Sequence, residues 1–434
     1  MISSRDGMNI ISGLLKNSIS KTLTRQDIDL MVPVGSFESL TAAVESGADS
    51  VYFGLGRLNM RARSSINFTP ADLKKIMRIC RNFNKKAYLT MNVVFYDGDL
   101  SEMKATIELA KDSGVNAIIA SDQAVISYAS QVGVAVHLST QINISNVEAL
   151  QFYSHYADVA VLARELNLDQ VAEITRQISD EQIKGPSGEL MRVEMFAHGA
   201  LCMAISGKCY LSLHNHNHSA NRGACLQDCR RSYVVTDRET GFEMEIDSEY
   251  IMSPKDLCTI HFINKILDAG VRVLKIEGRA RSPEYVKVVT DCYNQAIQSI
   301  IEGSYSQQKI DVWKNRLSSV FNRGFWDGYY LGQRLGEWSH VYGSKATHKK
   351  VYSSKCLNYY PKLGIGEFLC ESGTLKTGDQ IFVMGPTTGV IEQQVSEIRV
   401  DYNVVEEARA GDKFSMPVVR KVRKADKIYL QVLA

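Results

Sequence analysis

The chain has 434 residues, of which 45% are hydrophobic and 23% charged. That length suits two or three domains, or one large barrel with an appendage, and the composition excludes disordered and fibrous classes. No run reaches the ~18 uncharged apolar residues of a membrane helix, so a spanning protein is excluded. Fifty Lys and Arg against 48 Asp and Glu give a formal charge of +2, so any nucleic-acid surface must be local. From Val341 onward, 14 basic and 10 acidic residues give a local +4, against −2 for the preceding residues.

Residues 1–28 read as an N-terminal extension; the stretch from Met8 to Leu15 is too short and polar for a secretory signal and no small-residue cleavage site follows it. The expectation is a cytoplasmic protein whose nine cysteines are reduced. From residue 29 a short β-branched run, a turn and an amphipathic helix alternate. The runs are Ile28–Val34, Ser50–Gly54, Ala87–Asn92, Asn116–Ala120, Ala135–Leu138, Asp158–Leu162, Val193–Ala197 and Val273–Ile276. Eight strand–helix units over residues 29–340 predict an α/β fold of the (β/α)8 TIM-barrel type, with a doubly wound open sheet as the alternative. Ser36-Phe-Glu-Ser caps the first helix, and Gly47, Gly114, Gly133 and Gly270 stand where left-handed C-caps belong.

One connection is abnormal. After the seventh run an insertion at 199–252 carries four cysteines and the alternating His214, His216 and His218, before Ser253-Pro-Lys-Asp-Leu257 opens the next helix. Long loops at the carboxyl ends of barrel strands are where such folds place chemistry. Beyond 341, alternating short strands with turns at Gly364, Gly373, Gly378 and Gly411 predict a small antiparallel β-barrel over 341–434.

Cys202, Cys209, Cys225 and Cys229 follow the spacing Cys-x6-Cys-x15-Cys-x3-Cys. Four soft thiolates in one loop can surround an iron–sulfur cluster or a zinc ion, and spacing does not separate the two. The alternating histidines could bind metal, but an exposed loop is the expectation. Cys80, Cys292, Cys356 and Cys370 read as buried thiols, with Cys258 as the substitute ligand should Cys229 prove dispensable.

The segment Glu194-x-Phe196-x-x-Gly199-Ala200-Leu201-Cys202-x4-Gly207-x-Cys209-x-Leu211-Ser212 resembles the signature of the U32 peptidase (collagenase-like protease) family. Pro33-Val-Gly35, Asn59-Met-Arg-Ala-Arg63, Ser139-Thr-Gln141-x-Asn143, Ser253-Pro-Lys-Asp-Leu257 and Lys275-Ile-Glu-Gly-Arg279 extend the match over about 29–335, with Val34 where Ala is usual. The resemblance implies a barrel and, for members with the four-Cys loop, a [4Fe-4S] cluster. It also implies relatives that include accessory proteins of oxygen-independent ubiquinone hydroxylation, a ribosomal-RNA hydroxylase and a prephenate-dependent tRNA uridine hydroxylase. The C-terminal segment resembles the second β-barrel domain of translation factors. Length and that domain together favour the tRNA branch, which forms 5-hydroxyuridine at the wobble position. Two alternatives stay open, a U32 peptidase and a non-catalytic iron–sulfur partner protein.

His198, Asn221, Arg222 and Glu277 are the candidate catalytic groups. Asn59, Arg61, Arg63, Asn92, Gln141, Asn143 and Arg279 are the candidate substrate-binding groups, since they fall just after barrel strands. Prephenate carries two carboxylates, which guanidinium groups recognise in bidentate fashion. The expected partners are tRNA, a small dicarboxylate and iron–sulfur assembly proteins, with no membrane. Arg420-Lys-Val-Arg-Lys424 is a run suited to phosphate contacts. No His-Glu-x-x-His motif occurs, and His198 beside Cys202 is the nearest approach to a nucleophile–base pair.

Overall fold

A computed structural model describes residues 23–63, 67–244, 252–332, 336–341 and 343–434. The N-terminal extension up to residue 22 and part of the Cys-rich insertion, 245–251, lie outside the described residues. Eight parallel strands form the centre of the molecule. They are β1 (Asp29–Pro33), β2 (Ser50–Phe53), β3 (Lys86–Met91), β4 (Ala117–Ala120), β5 (Val136–Leu138), β6 (Val159–Val161), β7 (Arg192–Gly199) and β8 (Val273–Ile276). Each pairs with the next in sequence through β7. β8 then closes the ring, with Val273 opposite Asp29 of β1 and opposite Glu194 of β7. Closure excludes the open-sheet alternative.

Strands β1, β2 and β4 are buried at every position, because helices cover their outer face and side chains fill the barrel interior. The helices begin where capping side chains allow. Ser36 accepts from the Ser39 amide at 3.2 Å, Asp122 from Ala124 at 2.9 Å and Asn146 from Ala149 at 2.8 Å. Gly47, Gly114, Gly133 and Gly270 all have positive φ, as a left-handed helix end requires.

The expected helix start at Ser253-Pro-Lys-Asp-Leu is corrected. Those residues lead into a strand, Asp256–Cys258, antiparallel to β7, and the helix begins only at Ile263. Asp256 is buried, with Arg323 at 3.4 Å and Arg281 at 3.9 Å, so its carboxylate is held by guanidinium groups and is not spent on a helix cap.

The C-terminal region forms an eight-stranded antiparallel sheet built on the long strand His348–Tyr360, which pairs with Ile365–Cys370 on one side and Lys427–Leu433 on the other. Its own core centres on Phe368 and Phe414, stacked at 5.5 Å, with Ile381, Val383 and Ile428. The sheet docks on the outside of the barrel. Phe382, Met384 and Val390 pack on Ala42 of the helix Phe37–Glu45, and Lys350 reaches Glu284 of the helix Pro283–Ile301 at 2.8 Å.

Candidate functional site

A cavity of ≈ 380 Å³ opens at the carboxyl ends of the barrel strands, floored by barrel residues and roofed by the Cys-rich insertion. Strand geometry builds the floor. Side chains two apart on a strand share a face, so Lys275, Glu277 and Arg279 all reach the cavity from β8 and its continuation. Tyr52 of β2 and Thr90 and Asn92 at the end of β3 join them.

The floor is an ionic assembly. Arg61 Nη2 stands 2.8 Å from Glu277 Oε1, and the Tyr52 hydroxyl is 3.1 Å from Glu277 Oε2. Burial alone would raise the Glu277 carboxyl, but the charges of Arg61, Arg279 and Arg164 outweigh it and bring it down to about 2. Arg279 is 5% exposed and donates from Nη1 to Asn59 Oδ1 at 2.9 Å; burial weakens its hold on the proton, to about 10. Among the described residues its Nε has no hydrogen-bond partner, and neither does the buried Nε of Arg164, which also lines the cavity. Behind them Lys275 Nζ donates to Glu194 Oε1 at 2.7 Å, and burial raises the Glu194 carboxyl.

Two close approaches seat the insertion on this floor. A Cβ at Gly207 (φ +73°) would meet the Gln141 side chain at 2.8 Å, and one at Gly223 (φ +84°) would meet the Asn59 carbonyl at 2.6 Å. Asn143 Nδ2 donates to the Ser206 carbonyl at 3.0 Å, and the Val94 amide to the Asn221 carbonyl at 2.9 Å. Arg222 bridges to Asp99 at 2.7 Å and lies over the Tyr96 ring at 3.9 Å.

Cys202, Cys209, Cys225 and Cys229 all line the cavity roof. Burial raises the Cys229 thiol to about 11. Arg230 opposes that shift, and the other three sulfurs add to it, which places all four within electrostatic reach of one another. Cys225 also feels Arg61 across the cavity. Among the described residues no three His, Cys, Asp or Glu side chains stand close enough to hold a metal ion as they are. The donor set nevertheless fits a soft metal group, since four sulfur side chains line one cavity.

Of the candidates read from sequence, Arg61, Asn92, Gln141, Asn221, Glu277 and Arg279 line the cavity with the four cysteines. Asn92 Nδ2 donates to Gln141 Oε1 at 3.1 Å, and Asn221 Oδ1 is buried without a partner among the described residues. The others are not among the lining residues. His198 is 1% exposed among Tyr285, Tyr293 and Phe325, where burial drives it down to about 3 and so keeps it neutral. Asn59 is fully buried and ties Arg279 to the backbone of Arg61. Asn143 and Arg222 tether the insertion, and Arg63 is exposed, 3.3 Å from His218 Nε2.

Cys258 is a buried core residue on the strand beside β7, not a cavity group. The histidine-bearing segment is also corrected, since Leu211–His216 is a short helix in which His216 Nε2 meets Asp228 at 3.0 Å. The sequence reading missed Tyr52, Arg164, Glu194 and Lys275. The alternation of Lys275 with Glu277 and Arg279 was the available signal.

The profile described as Peptidase family U32 matches residues 35–340. A protein named collagenase from Porphyromonas gingivalis is 60% identical over 403 residues, covering 93% of this chain and 97% of its own. The tRNA hydroxylation protein P1 of Bacillus subtilis is 31% identical over 371 residues, covering 82% and 83%. The 23S rRNA 5-hydroxycytidine C2501 synthase of Escherichia coli is 31% identical over 326 residues, 73% of this chain and 47% of that protein.

Proposed function

Because this chain belongs to peptidase family U32, we propose that it is an RNA-modifying hydroxylase of that family, acting in the cytoplasm on a tRNA uridine without molecular oxygen. The observation that carries the reading is the make-up of the cavity at the barrel mouth: four cysteines in its roof, guanidinium groups and one carboxylate in its floor, and no histidine among its described lining residues. A cysteine peptidase needs a base within hydrogen-bond reach of its thiol, and the histidine nearest in sequence to Cys202, His198, is buried in the aromatic core and is not among the cavity's lining residues.

The names of the Bacillus and Escherichia relatives associate hydroxylation with tRNA and rRNA, and they support RNA as the macromolecular substrate here. Cys202, Cys209, Cys225 and Cys229 would hold a [4Fe-4S] cluster, with zinc as the competing occupant, and a bound cluster supplies one-electron chemistry beside the cavity. Arg61 would keep Glu277 ionised, while Arg279 and Arg164 offer N–H groups to a small dicarboxylate such as prephenate. No described helix is long and apolar enough to cross a membrane.

The test is a comparison of nucleoside mass spectra of tRNA from cells with and without the gene. Loss of 5-hydroxyuridine and its derivatives on deletion supports the reading. Unchanged tRNA and rRNA nucleosides, together with collagen cleavage by the anaerobically purified protein, would replace it with the peptidase reading suggested by the 60% identical relative's name.

A further inference from the structure

The Lys275–Glu194 pair sits in the floor of the cavity, and the function proposed above gives it no role. Lys275 is 5% exposed, yet it lines the cavity, and its ammonium group has three N–H donors. One goes to Glu194 Oε1 at 2.7 Å, while the Tyr52 ring faces the nitrogen at 4.6 Å. Glu194 is fully buried, and its Oε2 has no hydrogen-bond partner among the described residues. The Arg279 guanidinium approaches the same Tyr52 ring at 6.0 Å, so Lys275 and Arg279 both lie near one aromatic ring that lines the cavity. Arg279 and Arg164 each have a buried Nε without a partner among the described residues, and both line this cavity. A buried lysine beside a proton acceptor, with guanidinium groups nearby, is an arrangement for holding a carboxylate and reacting with a carbonyl next to it.

We propose that the cavity takes a small α-keto acid, with its carboxylate on Arg279 and Arg164, and that Lys275 condenses with its carbonyl to form a Schiff base. Glu194 takes a proton from the Lys275 ammonium, and the freed amine forms a C–N bond to the carbonyl carbon. The carbonyl oxygen is protonated, first to a carbinolamine hydroxyl and then, with the proton returned by Glu194, to departing water. The sum is one ammonium and one carbonyl giving one iminium and one water, with Glu194 restored and no oxidant needed. The proposal rests on the small-carboxylate half of the reading above and not on its RNA half.

The full-length protein is incubated anaerobically with 2-oxoglutarate or pyruvate and cyanoborohydride, and intact mass and peptide maps are recorded. The expected product is one adduct per chain, with the mass of the acid less one oxygen, mapped to Lys275. Lys275→Arg keeps the charge beside Glu194 and should lower adduct yield by at least about tenfold, because a guanidinium is not a nucleophile. Glu194→Gln should slow adduct formation while binding of 2-hydroxyglutarate, which has no carbonyl to trap, persists by calorimetry. Binding of 2-oxoglutarate by the wild type without any adduct would overturn the covalent role and leave the carboxylate site standing. Labelling spread over surface lysines would also overturn the covalent role, and no binding of either acid would overturn both. The wild-type peptide map decides the matter even if a variant fails to fold.

Discussion

Arg61 and Glu277, 216 residues apart in the chain, meet at 2.8 Å on the floor of the cavity and bind the loop after β2 to the end of β8. Their side chains are only 22% and 13% exposed, so removing one partner strands a largely buried charge. Breaking such a pair typically costs about 3–5 kcal/mol, and the neighbouring Arg279 and Arg164 place the expected loss for Arg61→Ala near about 3 kcal/mol. Arg61→Ala should therefore lower both denaturant stability and activity, whereas Arg63→Ala, at an exposed site, should change stability by no more than about 0.5 kcal/mol. Urea unfolding of the two variants beside the wild type checks this. Equal stabilities would mean that the pair does not hold the floor together.

The same pair predicts a pH dependence of definite sign. Glu277 is lowered in the folded protein from an ordinary 4.5 to about 2. A depressed carboxyl contributes stability that is fully present above its unfolded value and is lost as pH falls through the folded one. The stability difference between wild type and Glu277→Gln should thus be flat from neutrality down to about pH 5 and should shrink between about 4.5 and about 2. Denaturation curves at stepped pH measure it. A difference that stays constant down to about pH 3 would show that Glu277 is not held ionised by its guanidinium neighbours.

The four cavity cysteines should behave as a set and the five others should not. Anaerobically purified protein is expected to carry about four iron and four sulfide per chain, and Ser in place of Cys202, Cys209, Cys225 or Cys229 should each remove them. Cys80, Cys292, Cys356 and Cys370 are buried, and so is Cys258, whose backbone pairs with His198. Replacing any of these five should affect stability and leave the iron content alone. Iron and sulfide assays decide it, and stoichiometric zinc without iron would give the site to zinc and remove the redox part of the proposed function.

The barrel strands were legible because each is a short run of buried, β-branched residues bounded by a turn, and the C-caps because glycine alone accepts their backbone cheaply. The four roof cysteines were legible from their clustering. Ser253-Pro misled for a physical reason, since serine followed by proline is also how a helix begins. What distinguishes it here, the guanidinium groups of Arg281 and Arg323 around Asp256, comes from residues far along the chain. The place of Glu194, Lys275 and Tyr52 in the site was hidden for the same reason, although the first two stand in the family motifs. Each is a single polar or aromatic residue in an apolar run, and only closure of the barrel sets them beside one another.

The basic run Arg420–Lys424 divides once the two domains are seen together. Arg420 Nη1 lies 2.7 Å from Glu45 of the barrel, and its Nη2 donates to the carbonyls of Thr388 at 2.8 Å and Val390 at 3.2 Å. Arg423 Nη1 donates to Thr388 Oγ1 at 2.9 Å. These two are bound within the protein, which corrects the expectation that the whole run is available to phosphate, whereas Lys421 and Lys424 are exposed. Arg420 is 38% exposed, so Arg420→Ala should cost no more than about 1 kcal/mol. Met384→Glu, at a position 6% exposed against the helix Phe37–Glu45, should undock the sheet, because a carboxylate there would give up its water at the apolar contact with Ala42. Limited proteolysis reads this out as faster cleavage between residues 336 and 347 in Met384→Glu. Neutralising Lys421 and Lys424 together should leave that cleavage unchanged and reduce the magnitude of the salt slope of tRNA binding by about 1 for each phosphate that no longer meets a lysine. A wild-type salt slope in the double variant would show that Lys421 and Lys424 meet no phosphate and leave any RNA contact to the barrel face or to no part of the protein, and wild-type proteolysis of Met384→Glu would show that the apolar packing does not hold the domains together.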